Sequence, residues 1–190
     1  MKQTLPTIII DTREKKPLAF HHLPTETAKL DTGDYAVKGL DSFVVERKSV
    51  ADYANCCKRD HARFIKQCER LSEFKSRHLV VVGTDKELAL LIRLHRIDLR
   101  QAEHTLLSLA ERYGIKVHRV ATPAAAALRI ETLAFTAWRN SRRAEGDHIT
   151  FPAWVECGIL PRFSEAKTAE QVLDKMLEWK MLPYSFFNEN

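Results

Sequence analysis

Gly33-Asp34, followed after a short insert by Glu46-Arg47-Lys48, places two carboxylates and a lysine in one brief stretch of chain. A hard divalent cation such as Mg²⁺ takes oxygen ligands, keeps several waters and needs only one or two carboxylates beside a substrate phosphate. Asp34 and Glu46 are candidates for those two. Such a cation lowers the pKa of bound water and neutralises charge on a phosphate, while an ammonium such as Lys48 can orient the attacking water or hold a phosphoryl oxygen. The chemistry that suits the set is metal-dependent hydrolysis of a phosphodiester. Taken alone, Glu46-x-Lys48 reads more readily as a solvated ion pair on an exposed strand than as a site.

The elements around these residues decide whether they can meet. Ser42-Phe43-Val44-Val45-Glu46-Arg47-Lys48 is rich in β-branched and aromatic residues and predicts a strand, in which side chains two apart share a face. Glu46 and Lys48 then point together and Arg47 points away, bracing the sheet. Asp34 follows a glycine and leads into Tyr35-Ala36-Val37, with Lys38-Gly39 as a turn, so a hairpin from Asp34 to Lys48 returns Asp34 toward Glu46. Upstream, Thr7 to Asp11 reads as a strand. Ser49 and Asp52 form a capping-box pattern that starts a helix, and capping is one reading of Asp52 beside a role at the site. That helix is expected to run to about Lys75, with a break near Asp60, on the apolar stripe Phe64, Cys68 and Leu71.

Further on, the pattern predicts a strand at His78–Val82, helices at Lys86–Arg96 and Asp98–Tyr113, a strand at Ile115–Val120, and a helix from Thr122-Pro123 to about Arg143. Asp98 caps the second of these helices, Gly114 stops it, and Thr122-Pro123 is an N-cap and first-turn pair for the last. Strands alternating with helices after an opening hairpin give an α/β fold with a mixed central sheet flanked by helices.

Charge is unevenly spread. Residues 144–190 carry 4 Lys plus Arg against 8 Asp plus Glu, which leaves 26 against 17, or +9, for residues 1–143. Lys58, Arg59, Arg63, Lys66, Arg70, Lys75 and Arg77 stand against Asp60, Glu69 and Glu73 in the helix that follows the candidate site. Basic clusters supply the salt-sensitive, sequence-independent part of nucleic-acid affinity. Cys56, Cys57, Cys68 and Cys157 fit no C-x₂-C spacing, so neither a zinc site nor a disulfide framework is expected. No apolar run approaches the roughly 20 residues that span a bilayer, and no leader-like h-region opens the chain. A soluble protein of the cytoplasm, or of the nucleus in a eukaryote, is expected. The segment from Ala144 onward holds 7 of the 16 aromatic residues, and Val172, Met176 and Trp179 predict a helix from about Ser164. It is expected to form an acidic, aromatic extension packing on the core or on a partner.

The motifs in order resemble the XPF/ERCC4-type nuclease domain, a branch of the restriction-endonuclease-like superfamily. The family pattern is G-D, a variable insert, E-R-K, three residues and D. Gly33-Asp34, Glu46-Arg47-Lys48 and Asp52 match it. Ile8-Ile9-Ile10-Asp11-Thr12-Arg13-Glu14 is similar to the family's opening strand and D-x-R-E turn, and Arg63-Phe64 with Gln67 to its helix bearing an arginine and a glutamine. The likeness runs from about Thr7 to the helix ending near Arg143.

The resemblance implies a restriction-endonuclease-like core over residues 1–143 and a metal-dependent endodeoxyribonuclease that leaves a 5′-phosphate and cuts near a flap, fork or junction. It implies Mg²⁺ or Mn²⁺ held by Asp34, Glu46 and the Arg47 carbonyl, and adds Asp11, as the residue beside the metal, to the catalytic set of Asp34, Glu46 and Lys48. Arg13, Glu14, Arg47 and Asp52 are supporting residues. Arg13 either contacts phosphate or pairs with Asp11 or Glu14. Lys58, Arg59, Arg63, Lys66, Gln67 and Arg70 are expected on DNA. The family's nuclease domains pair, so a homodimer is expected, with Leu128, Leu133, Phe135 and Trp138 as its apolar surface. Larger members carry helix-hairpin-helix modules with paired glycines, and these are not expected here. Two alternatives stay open: a catalytically silent DNA-binding or partner subunit of the same fold, and a nuclease for unbranched or single-stranded DNA.

Overall fold

The computed structural model describes residues 5–94 and 98–145. The predicted extension beyond residue 145, including the helix from Ser164, and the end of the predicted helix at Arg96 lie outside the described residues. The strands are β1 (Ile8–Asp11), β2 (Thr25–Ala28), β3 (Tyr35–Val37), β4 (Leu40–Ser49), β5 (Ser76–Val82) and β6 (Lys116–Val120). They form one sheet in the order β2-β1-β3-β4-β5-β6. β3 is antiparallel to both β1 and β4, whereas β1 with β2, β4 with β5 and β5 with β6 run parallel. The helices are α1 (Val50–Cys56), α2 (His61–Leu71), α3 (Asp85–Leu94), α4 (Leu99–Tyr113) and α5 (Pro123–Ala144).

Two apolar layers sandwich the sheet, as the two-faced burial of β4 requires. Phe43, Val45, Val80 and Val82 pack with Ala126, Ile130, Ala134 and Phe135 of α5. On the other face Val44, Leu79 and Val81 pack with Tyr53, Phe64, Cys68, Leu71, Leu88 and Ile92. The predicted stripe on α2 is buried at all three positions.

The helix ends follow local chemistry. Ser49 Oγ accepts the Asp52 N–H at 3.1 Å and donates to Asp52 Oδ2 at 2.7 Å, which starts α1 directly off the end of β4. α1 ends at Cys56 and α2 begins at His61, so the expected interruption near Asp60 separates two helices. Asp98 accepts from the Arg100 N–H at 2.8 Å; Gly114 at φ 61° closes α4, and Thr122 Oγ1 accepts from the Ala125 N–H at 3.1 Å.

Three features depart from the sequence reading. The first is β2, in a segment where no strand was expected, which pairs in parallel with β1 at the sheet edge. Arg77, counted on the positive face, instead spends its guanidinium on the carbonyls of Tyr113 at 2.6 Å and Phe74 at 2.6 Å. Of the four apolar residues assigned to a dimer surface, Phe135 is core, Leu133 and Trp138 are half-buried against it, and Leu128 alone is exposed. No helix of the described residues is long and apolar enough to cross a membrane.

Candidate active site

Gly33 is where the site begins. Its φ of +79° is a left-handed conformation, and a Cβ there would collide with the Val44 side chain and sit 2.9 Å from the Val45 carbonyl oxygen. Only glycine gives both the turn and the close approach. In consequence the Asp34 N–H donates to the Val45 carbonyl at 2.9 Å, and the Asp34 carbonyl accepts the Asp11 N–H at 2.9 Å. The Asp34 backbone is thus stitched between β1 and β4. Its carboxylate Oδ2 accepts the Arg47 N–H at 2.7 Å.

β4 carries the other two residues. Lys48 Nζ lies 3.0 Å from Glu46 Oε1, the shared face that the strand period requires, and 5.2 Å from the centroid of the Phe64 ring on α2. Glu46 is buried, 4% exposed. Burial pushes the Asp34 carboxyl up to about 7, and the nearby Glu46 charge adds to the shift while the Arg47 amide opposes it. For Lys48, burial works against the ammonium, but the Glu46 charge and hydrogen bond outweigh it and the net shift is upward. Lys48 is held as a cation, suited to gripping an oxygen.

These side chains line a cleft of about 400 Å³ whose walls also include Arg13, Asp31, Thr32, Asp52, Cys56, Asp60, Arg63, Gln67 and Arg70. One wall is the turn before β3 with Arg13 above it; the other is the α1–α2 side. Asp31, Asp60, Cys56 and Phe64 were not singled out as site residues, because their place in the cleft follows from the α1–α2 break and the turn into β3 rather than from local spacing.

Of the residues expected on DNA, Arg63, Gln67 and Arg70 border the cleft, and Lys58, Arg59 and Lys66 are exposed elsewhere on the α1–α2 unit. Asp52 lines the cleft while serving in the cap of α1.

Asp11, Glu14 and Arg47 are not among the lining residues. Asp11 is 2% exposed and accepts from Arg13 N–H at 2.6 Å, Nε at 3.0 Å, Nη2 at 2.8 Å and the Leu30 N–H at 2.9 Å. The Arg13 side chain dominates in holding its carboxyl well down, at about 2. Arg13 pairs with Asp11, and its side chain is still 63% exposed at the rim. Glu14 takes the Arg47 guanidinium instead of Arg13, and Arg47 faces away from Glu46 and Lys48.

The donor set fits a hard cation that retains water. Asp34 and Glu46 offer carboxylate oxygens in a site whose burial and mutual repulsion penalise two uncompensated charges. Among the described residues no group of three or more His, Cys, Asp or Glu is gathered as a metal cage.

The family model for the ERCC4 domain matches residues 10–133. Solved structures share the fold, two of them XPF structures. XPF from Aeropyrum pernix in complex with DNA is 24% identical with a TM-score of 0.58, covering 97% of this chain and 86% of that one. XPF from Aeropyrum pernix in a second structure is 23% identical with a TM-score of 0.55, covering 91% of this chain and 80% of that one. No curated protein matches the chain.

Proposed function

The chain belongs to the ERCC4 domain family, and from that membership and the cleft geometry we propose that it is a DNA endonuclease dependent on Mg²⁺ or Mn²⁺. The observation that carries the reading is the meeting of Asp34, Glu46 and Lys48 in one cleft with Arg13, Arg63 and Arg70 around it. The acidic floor suits a cation and the arginine rim suits the phosphates of a nucleic-acid backbone.

Asp34, Glu46 and the Arg47 carbonyl would hold the cation, which supplies a more acidic water and charge neutralisation at the phosphate. The remaining work falls to the protein. Lys48, fixed by Glu46, donates to a non-bridging phosphoryl oxygen and stabilises the charge that builds there. Arg13 on one wall and Arg63 and Arg70 on the other hold flanking phosphates in register. Attack of water on phosphorus opposite the 3′ oxygen breaks the P–O3′ bond and leaves a 5′-phosphate and a 3′-hydroxyl. Asp11 anchors Arg13 and the turn that carries Asp34.

The substrate class we assign is branched DNA: a flap, fork or junction. The test is cleavage of matched flap, fork, Holliday-junction and linear duplexes with Mg²⁺ or EDTA. Cutting near the branch with Mg²⁺ alone is expected, and Asp34→Ala or Glu46→Ala should abolish it while DNA binding in EDTA persists or tightens, since an anion has been removed from the path of a phosphate. Equal cutting of every substrate would make the enzyme a nuclease for unbranched DNA. DNA binding without cleavage under any metal would make it a silent subunit and defeat the proposal.

A further inference from the structure

Glu14 does not line the cleft, yet it stands at the far end of a run of hydrogen bonds that finishes on Asp34. The Arg47 N–H donates to Asp34 Oδ2 at 2.7 Å. The same residue's side chain, sent to the opposite face by the strand period, gives Nε to Glu14 Oε2 at 3.2 Å and Nη2 to both Glu14 oxygens at 3.0 Å. The two side chains are 18% and 8% exposed, so the fork is shielded from water and held in one arrangement. Glu14 is itself fixed, because its Oε1 accepts the Lys16 N–H at 2.9 Å and its own N–H donates to the Asp11 carbonyl at 3.0 Å.

We infer that Glu14 is a positioning residue for the cation site, acting through Arg47 on the peptide between Glu46 and Arg47. That peptide's N–H orients the Asp34 carboxylate, and the residue preceding it is Glu46. Fixing the Arg47 side chain therefore sets the mutual placement of both carboxylates. The inference rests on the reading of Asp34 and Glu46 as the cation-holding pair. Partners that orient metal ligands from behind are worth about 10-fold to 100-fold in metal affinity.

The experiment is calorimetric titration of Mn²⁺ into wild-type protein, Glu14→Gln, Arg47→Lys and the double variant, with DNA affinity in EDTA measured beside it. Glu14→Gln keeps the shape and one acceptor but removes the charge, and Arg47→Lys keeps the charge but removes the fork. Each should bind Mn²⁺ about tenfold more weakly, with DNA affinity in EDTA unchanged. The double variant should lose no more than the weaker single, because both act along one path. Wild-type Mn²⁺ affinity in Glu14→Gln, or losses that add in the double variant, would overturn the inference. Should Glu14→Gln not fold, Arg47→Lys and its unchanged or weakened Mn²⁺ affinity decide the same question. Wild-type protein that fails to bind Mn²⁺ defeats the site reading and this inference together, whereas a Mn²⁺-binding wild type with an indifferent Glu14→Gln defeats this inference alone.

Discussion

Lys48 is held between a carboxylate at 3.0 Å and an aromatic face at 5.2 Å, and both favour its charged form. An ammonium has donors and no lone pair, so it acts on an oxygen of the substrate or of water and cannot ligate a cation. Lys48→Ala should therefore lower turnover by about 10²-fold or more, with the Mn²⁺ dissociation constant unchanged within a factor of a few. Lost metal binding with normal cleavage at saturating metal would remove Lys48 from this role. Asp34 gives a second test. Its carboxyl is pushed up from 3.8 to about 7 by burial and the Glu46 charge, so protons compete with a cation below neutrality. Metal affinity should climb as pH rises from 6 to 8 and then level off. In metal-free protein the sign is opposite for stability. The folded state binds the extra proton between 3.8 and about 7, so this group's contribution is full below pH 3.8 and is lost as pH rises through 7. Asp34→Asn should remove both dependences, and a Mn²⁺ affinity independent of pH in wild type would refute the assignment.

Elements reveal what local pattern can and cannot show. β4, α2, α4 and α5 were legible because their signals are local: a β-branched run, an apolar stripe at i, i+4 and i+7, a capping aspartate, a terminating glycine. β2 was not, since Thr25-Glu26-Thr27-Ala28 is short and mostly exposed, and it becomes a strand by pairing with β1 rather than by burying a face. The meeting of Asp34, Glu46 and Lys48 was legible through the hairpin, whereas the Glu14–Arg47 fork, 33 residues apart in sequence, depends on a tertiary meeting that no spacing encodes.

The same holds for β5 and β6. Their register sets His78 Nδ1 3.0 Å from His118 Nε2, while His78 Nε2 lies 3.0 Å from Ser76 Oγ. Burial first, and then each ring's cationic neighbours, lower His78 to about 3 and His118 to about 4. Unfolded chains protonate these rings near 6.5, so the pair's contribution to stability is complete above pH 6.5 and is lost as pH falls toward 4 and 3. The His78 slope approaches about 1.4 kcal/mol per pH unit in that window. Denaturant unfolding of His78→Gln/His118→Gln between pH 4 and 7 should show a flatter acid limb, and an unaltered limb would mean that other groups set it.

At the scale of the whole molecule, charge and shape act together. Residues 1–143 hold 26 basic against 17 acidic side chains, and the cleft concentrates arginines on both of its walls. Each phosphate contact adds about 0.9 to the logarithmic salt slope on duplex DNA. Arg63→Ala and Arg70→Ala should each flatten that slope by about one contact, and unchanged slopes in both would turn the backbone-binding face elsewhere. One cleft of about 400 Å³ holds a short stretch of one strand, while a branched substrate presents two or more duplex arms. A twofold dimer answers this by offering two clefts and two basic faces to one branch point. α5 is the candidate surface for it, with Leu128 39% exposed beside the half-buried Leu133 and Trp138. The area is small for a stable interface, whose two sides together bury about 1,200–2,000 Å², so pairing is expected to strengthen on DNA that engages both clefts. Light scattering at several protein concentrations, with and without a four-way junction, should give twice the chain mass of 21.9 kDa on the junction, and Leu128→Glu should return it to one chain per junction. A single-chain mass at micromolar protein in both conditions would rule the dimer out.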